Sequence, residues 1–208
     1  MIGIIDYGMG NLHSVAKALE RLGYTSFLSE NPDELKKAEK LILPGVGSFR
    51  DGMNELKGRG LDTFIISWAE EGRPLLGICL GMQLLFHESE EGGRTDGLGL
   101  LPGRVRRFSS GNWKVPHMGW NDLTVKKPNH PFMDGLDNGH VYFVHSYVAQ
   151  LDDPQVDVAH TYYAEQDVPA VVAKDNVWAT QFHPEKSSTV GITMLKNFLA
   201  NEGGGGHE

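Results

Sequence analysis

The chain predicts an α/β fold around a mostly parallel central sheet, with antiparallel strands added in its second half. Three observations carry this expectation. Before about residue 100, short apolar runs alternate with amphipathic helical segments; after it, short strand-like runs dominate. Within the first half lies a tight strand-to-helix turn, Gly77-Ile78-Cys79-Leu80-Gly81.

The elements follow in order. Residues 2–6 form a first strand, and a helix from Asn11 puts Leu12, Val15, Ala16, Leu19 and Leu22 on one face before stopping at Gly23. A second strand covers residues 25–29. Asn31-Pro32-Asp33-Glu34 supplies a cap, a first-turn proline and a capping-box acid for a second helix. Leu41-Ile42-Leu43 is a third strand, and Leu61, Phe64, Ile65 and Trp68 mark a helix. Residues 74–78 form the strand that enters the turn at Cys79, with a helix expected over 82–87. Strands are then expected at 104–108, 122–125, 141–149, 156–162, 170–173 and 177–181, and a closing helix carries Ile192, Leu195, Phe198 and Leu199. In doubly wound sheets ligands sit at the carboxyl ends of the parallel strands, and Cys79 falls at such an end.

Composition narrows the function classes. The 208 residues fit one domain over 1–201, with 202–208 a Gly-rich tail expected to be frayed. At 40% hydrophobic and 22% charged, the chain reads as a globular soluble protein. A single cysteine permits no internal disulfide and suits a reducing compartment. No basic leader and no apolar run near ~18 residues appears, so a cytoplasmic protein with no membrane association is expected. The formal charge of −8 disfavours nucleic acid as a partner, although Arg104-Val105-Arg106-Arg107 is a local basic run. Gly8-Met9-Gly10 does not open a dinucleotide site, because His13 stands at the third glycine position of that fingerprint. With no H-E-x-x-H or C-x-x-C and nine scattered histidines, neither a metal nor any other cofactor is expected.

Cys79 reads as a nucleophile. A turn this tight strains its central residue, and the flanking Gly77 and Gly81 let neighbouring backbone approach, so the side chain is held out from the sheet. The start of the following helix favours a thiolate there. An isolated cysteine is more commonly a small buried hydrophobe, but the two glycines reverse that reading. Gln181-Phe182-His183-Pro184-Glu185, after a strand, supplies a base: His183 can face the thiol while Glu185 holds its other ring nitrogen. Pro44-Gly45-Val46-Gly47-Ser48 follows the third strand, and its small residues bring the backbone N–H groups of Val46 and Gly47 close to a substrate. Together with the N–H of Leu80 they form a candidate oxyanion hole.

In order and spacing, Pro44-Gly45-Val46-Gly47, Gly77-Ile78-Cys79-Leu80-Gly81-Met82-Gln83 and His183-Pro184-Glu185 resemble the class I (triad) glutamine amidotransferases over essentially residues 1–201. That resemblance implies their three-layer, flavodoxin-like fold and a Cys79–His183–Glu185 triad. Cys79 would attack the glutamine side-chain amide, His183 would protonate the leaving ammonia and then activate water, and Glu185 would orient His183. It further implies that Gly47, Gln83, Glu91, His145, Ser146 and Tyr147 bind glutamine, with Glu91 facing the substrate ammonium.

Ile4-Ile5-Asp6-Tyr7-Gly8-Met9-Gly10-Asn11, Pro116-His117-Met118-Gly119-Trp120-Asn121 and Phe143-Val144-His145-Ser146-Tyr147 look like the branch serving as glutaminase subunits of imidazole glycerol phosphate synthase, in histidine biosynthesis. Members of that branch pass ammonia to a (β/α)₈-barrel cyclase within a heterodimer. A barrel needs ~200 to 250 residues, so the resemblance implies a separate partner chain. Trp120 and Lys186 match positions near that interface. Two alternatives stay open at this level: a triad glutaminase serving another synthase, and a catalytically silent binding module that kept the fold.

Overall fold

The computed structural model describes residues 1–202; the expectation for residues 203–208 lies outside the described residues. In chain order the elements are β1 (Ile2–Ile5), α1 (Leu12–Arg21), β2 (Ser26–Ser29), α2 (Pro32–Leu35), β3 (Lys40–Leu43), α3 (Phe49–Gly58), α4 (Leu61–Glu70), β4 (Leu75–Ile78) and α5 (Leu80–Leu84). There follow β5 (Glu88–Ser89), β6 (Thr95–Asp96), β7 (Gly103–Arg107), β8 (His117–Val125), β9 (Asn138–His145), β10 (Tyr147–Leu151), β11 (Asp157–Tyr163), β12 (Gln166–Lys174), β13 (Val177–Thr180) and α6 (Ser188–Ala200).

Nine strands form the main sheet in the order β2-β1-β3-β4-β13-β12-β11-β8-β9. The first five run parallel to their neighbours, and the pairings from β13 outward to β9 are antiparallel. Apart from the edge strand β2, the parallel strands are buried along their length because both faces are covered. Alternation along each strand decides the layer. Ile5, Leu41, Leu43, Leu75 and Ala179 pack with Phe49, Met53 and Leu56 of α3 and Leu61, Ile65 and Trp68 of α4. Ile4, Ile42, Leu76, Ile78 and Trp178 point the other way, against Val15, Ala18 and Leu19 of α1 and Leu195 and Phe198 of α6. Each such large side chain contributes roughly 1.5–3 kcal/mol by leaving water.

The expected α/β class with added antiparallel strands is therefore observed, with local differences. Residues 141–149 do not make one strand. The chain breaks at Ser146, so β9 ends on the main sheet while β10 joins a second, four-stranded sheet in the order β10-β7-β5-β6. Helix α3 went unread because Gly52 and Gly58 dilute its pattern, yet Phe49, Met53 and Leu56 recur at helical spacing and Ser48 Oγ caps it by accepting from the Asp51 N–H at 3.2 Å. Strand β8 starts at His117, ahead of the expected residue 122, because it pairs with β9 along its whole length.

Candidate active site

The elbow is built by steric exclusion. Cys79 adopts φ 56° and ψ −112°, a conformation that costs a non-glycine residue about 1–3 kcal/mol unless its surroundings enforce it. They do. A Cβ on Gly81 would lie 1.8 Å from the Leu43 carbonyl oxygen, and one on Gly77 would lie 2.7 Å from Leu85 Cδ1. On the other side the Cys79 N–H donates to Thr180 O at 2.8 Å, extending the β4–β13 pairing through the nucleophile. The turn is complete in one residue, so α5 begins at Leu80, two residues ahead of the expected Met82, and is only one short helix.

His183 follows β13, the neighbour of β4, and comes to the same sheet end. Its N–H donates to Tyr142 O at 3.2 Å, and its carbonyl accepts from Ser187 Oγ at 2.6 Å. The ring Nδ1 lies 2.8 Å from Glu185 Oε1, with both side chains almost wholly buried. Nε2 is buried without a formed hydrogen bond and is the ring nitrogen left to face Cys79, as is common before substrate tightens a site. Burial opposes charge on His183, but Cys79 and Glu185 outweigh it and hold the imidazolium pKa up to about 10. A charged imidazole beside a cysteine is the arrangement that activates a thiolate nucleophile.

The loop after β3 is held more lightly. Tyr7 Oη donates to Pro44 O at 2.6 Å, and burial, then the charge of Cys79, push the phenol pKa well above its ordinary range. Gly45 is needed there because a Cβ would sit 2.0 Å from Tyr7 Oη. The Val46 N–H donates to Met9 O at 3.2 Å, and the Leu80 N–H donates to Gly45 O at 3.1 Å. Two of the three expected oxyanion donors are thus engaged by the protein's own carbonyls.

A cavity of about 570 Å³ opens over the cysteine, and Val46, Gly47, Leu80, Gln83, Glu91, His145, Ser146 and Tyr147 all line it. Gln83 Nε2 donates both to Gln181 Oε1, at 3.1 Å, and to Tyr147 O, at 3.3 Å, leaving its oxygen for a ligand. Gln181 Nε2 in turn approaches Cys79 Sγ at 3.9 Å. Glu91 Oε2 accepts the Phe49 N–H at the start of α3 at 3.1 Å, which leaves Oε1 free. His145 uses both ring nitrogens internally. Its Nδ1 lies 2.8 Å from Tyr147 O, which can only accept, so Nε2 accepts from His117 Nδ1 at 3.0 Å. Burial lowers its pKa to about 3. Trp120, 54% exposed on β8, and Lys186, in an exposed turn beside Glu185, lie outside this cavity. Arg107, Pro116 and Val144 also line it and were missed in the sequence. For Arg107 a signal existed: alternation along β7 puts it on the same side as the buried Val105, although Arg107 itself, at the strand's end, is exposed.

Residues 3–201 match the family described as glutamine amidotransferase class-I. The chain belongs to that family. Among relatives of this amidotransferase, the imidazole glycerol phosphate synthase subunit HisH of Halalkalibacterium halodurans is 61% identical over 205 residues, 96% of this chain and 95% of that protein. The HisH subunit of Bacillus subtilis is 54% identical over 203 residues, 95% of each. A crystal structure of a glutamine amidotransferase matches with a TM-score of 0.75 at 25% identity, covering 95% of this chain and 96% of that one. PurLQS from Thermotoga maritima gives 0.74 at 23% identity over the same shares, which speaks for the amidotransferase fold alone. Among the described residues the amidotransferase has no helix long and apolar enough to cross a membrane.

Proposed function

We infer that the protein is the glutaminase subunit of an imidazole glycerol phosphate synthase in histidine biosynthesis, acting in the cytoplasm as one functional unit over residues 1–201. The observation that carries the chemistry is the buried set Cys79, His183 and Glu185 at adjoining carboxyl ends of β4 and β13, in a chain 61% identical to a HisH subunit.

The Cys79 thiolate attacks the side-chain amide carbon of glutamine, and the electron pair of the C=O bond moves to oxygen. As that intermediate collapses, the C–N bond breaks, His183 gives its proton to the nitrogen, and ammonia leaves a γ-glutamyl thioester. Neutral His183 then takes a proton from water, the hydroxide adds to the thioester, and expulsion of the thiolate yields glutamate with His183 recharged. Glu185, fixed on Nδ1 at 2.8 Å, keeps the ring in position throughout. Gly47, Gln83, Glu91 and the 145–147 segment surround the amino-acid end of the substrate. The ammonia passes to a (β/α)₈-barrel cyclase partner in a heterodimer, across a face that includes Trp120 and Lys186. There it contributes to making imidazole glycerol phosphate and an aminoimidazole carboxamide ribonucleotide.

The engaged N–H groups of Val46 and Leu80 support a gated site, in which binding of the partner and its nucleotide ligand turns the loop so that donors face the oxyanion. The test is glutamate release by the chain alone, with the cyclase, and with cyclase plus nucleotide. A rise of two or more orders of magnitude is expected, at least ~2.7 kcal/mol of barrier. Equal rates in all three would remove the gate. In the same complex, loss of synthesis from free ammonia as well as from glutamine in Cys79→Ala would remove the division of labour.

A further inference from the structure

Gln181 is wholly buried between the nucleophile and Gln83, and the triad makes no use of it. It follows β13 directly, and its backbone N–H donates to Ala170 O at 2.9 Å, which fixes it beside the strand end that delivers His183. A buried carboxamide costs free energy unless both its ends find partners. Here both ends do, and the partners dictate which way the group faces.

The direction starts at a group that can only accept. Tyr147 O lies 3.3 Å from the Gln83 amide, so Gln83 presents Nε2 there, and its second N–H goes to Gln181, 3.1 Å away. The Gln181 oxygen therefore turns toward Gln83, which leaves Gln181 Nε2 on the side of the cysteine. Its acceptor among the described residues is Cys79 Sγ, at 3.9 Å. The sulfur also faces a carbonyl, Val144 O, at 3.9 Å, which suits a thiol. The His183 imidazolium and the Gln181 N–H suit a thiolate instead.

Resting on the glutaminase reading, we propose that Gln181 is a catalytic residue whose carboxamide N–H donates to the Cys79 thiolate. The hydrogen bond is present while the thiolate is free. It is given up when the S–C bond forms and the charge leaves sulfur, and it forms again when hydrolysis of the thioester expels the thiolate. Tyr147 O, Gln83, Gln181 and Sγ make one continuous chain. A ligand that donates to the Gln83 oxygen polarises both amides in the sense that strengthens the last donor, so filling the pocket readies the nucleophile.

The test follows alkylation of Cys79 by iodoacetamide, read by peptide mass mapping, together with glutamate release, in the complex with cyclase and nucleotide. Gln181→Met keeps the length of the side chain and removes the donor. It leaves in place the other charged or titratable groups around the sulfur: His183 and Glu185 after β13, Tyr7 after β1, His145 ending β9, and Glu91 and Arg107 lining the cavity. At about pH 6, where an unassisted thiol is almost wholly protonated, Gln181→Met is expected to alkylate at least about tenfold more slowly than wild type; at about pH 9 the gap should narrow to within about threefold. The kcat for glutamate release should fall at least about tenfold. Gln181→Asn, whose amide is one carbon shorter, should lie between in both readouts. Equal alkylation at pH 6, or a slowing of the same size at both pH values, overturns the assignment, since lost packing alone would not depend on pH. If wild type releases no glutamate under full stimulation, the glutaminase reading fails and the catalytic role with it, while the alkylation comparison still decides whether the N–H serves the sulfur.

Discussion

The elbow at 77–81 and the loop at 44–47 face the same substrate but are held in opposite ways. Backbone is pressed against backbone at the elbow, where Gly81 has no room for even one carbon beside the Leu43 carbonyl. The loop is held by three hydrogen bonds, from Tyr7 Oη to Pro44 O, from the Val46 N–H to Met9 O and from the Leu80 N–H to Gly45 O. Its tight contact at Gly45 is with a side-chain hydroxyl rather than backbone, while Val46 is 43% exposed. The difference bears on the proposed gate: the nucleophile sits where backbone leaves no room to move, while the proposed donors sit on a loop fastened by a few hydrogen bonds.

The largest effect should come from filling the elbow. Gly81→Ala places a carbon 1.8 Å from a carbonyl oxygen, so β3 and β4 must part; a loss of about 3 kcal/mol or more and background glutaminase activity are expected. A variant that melts like wild type would mean the elbow is no more rigid than the loop. Next in size are the triad changes. His183→Ala removes both base and proton donor and should fall to background, whereas Glu185→Gln, which costs orientation and charge stabilisation, should retain measurable glutamate release. Equal and complete loss in two folded variants would contradict that ranking.

Acid should act on the elbow's other neighbours. His117 and His145 are buried neutral, with pKa lowered to about 4 and about 3, chiefly by burial. The unfolded chain binds protons below about pH 6.5 that the folded chain refuses, so stability is full above that pH and declines toward pH 4, by up to about 1.4 kcal/mol per pH unit for each histidine. His183 runs the other way: its folded pKa is raised to about 10, so its contribution is complete below about 6.5 and lost as pH rises toward 10. Denaturant midpoints measured from pH 4 to 10 should therefore fall at both ends, and His183→Gln should flatten only the alkaline side. His130, lowered to about 4 by burial and by Lys127, adds to the same limb, so a flat acid limb would show that these buried histidines are hydrated.

The smallest and most pointed change is Tyr7→Phe. It removes one hydrogen bond to Pro44 O, about 1 kcal/mol, and frees the loop without touching Cys79. Basal glutamate release should rise and the stimulation ratio with cyclase and nucleotide should shrink. An unaltered ratio would mean that Tyr7 does not restrain the loop.

The elbow, the base and the parallel half were legible because local sequence dictates them: glycines where nothing else fits, and apolar runs buried on both faces. What stayed hidden depends on distant pairing. The break at Ser146 cannot be read from the alternating Val141, Phe143 and His145, since it reflects β10 leaving for the partner strand β7. Likewise His145 lines the cavity over Cys79, but both its ring nitrogens are taken up by Tyr147 and His117, the latter 28 residues away.

Lys40 begins the strand that delivers the 44–47 loop, and its ammonium is buried at the far end of α6, donating to Phe198 O at 2.8 Å and Leu199 O at 2.7 Å and also to Asn201 O. The first of those partners lies 158 residues downstream. At ribosomal speeds of about 5–20 residues per second, roughly 8 to 30 s pass between synthesis of the lysine and of its acceptors. Until then the root of the loop is unfastened and the base has barely been made. The strand that carries the loop is therefore pinned at its root only after the last helix has been made.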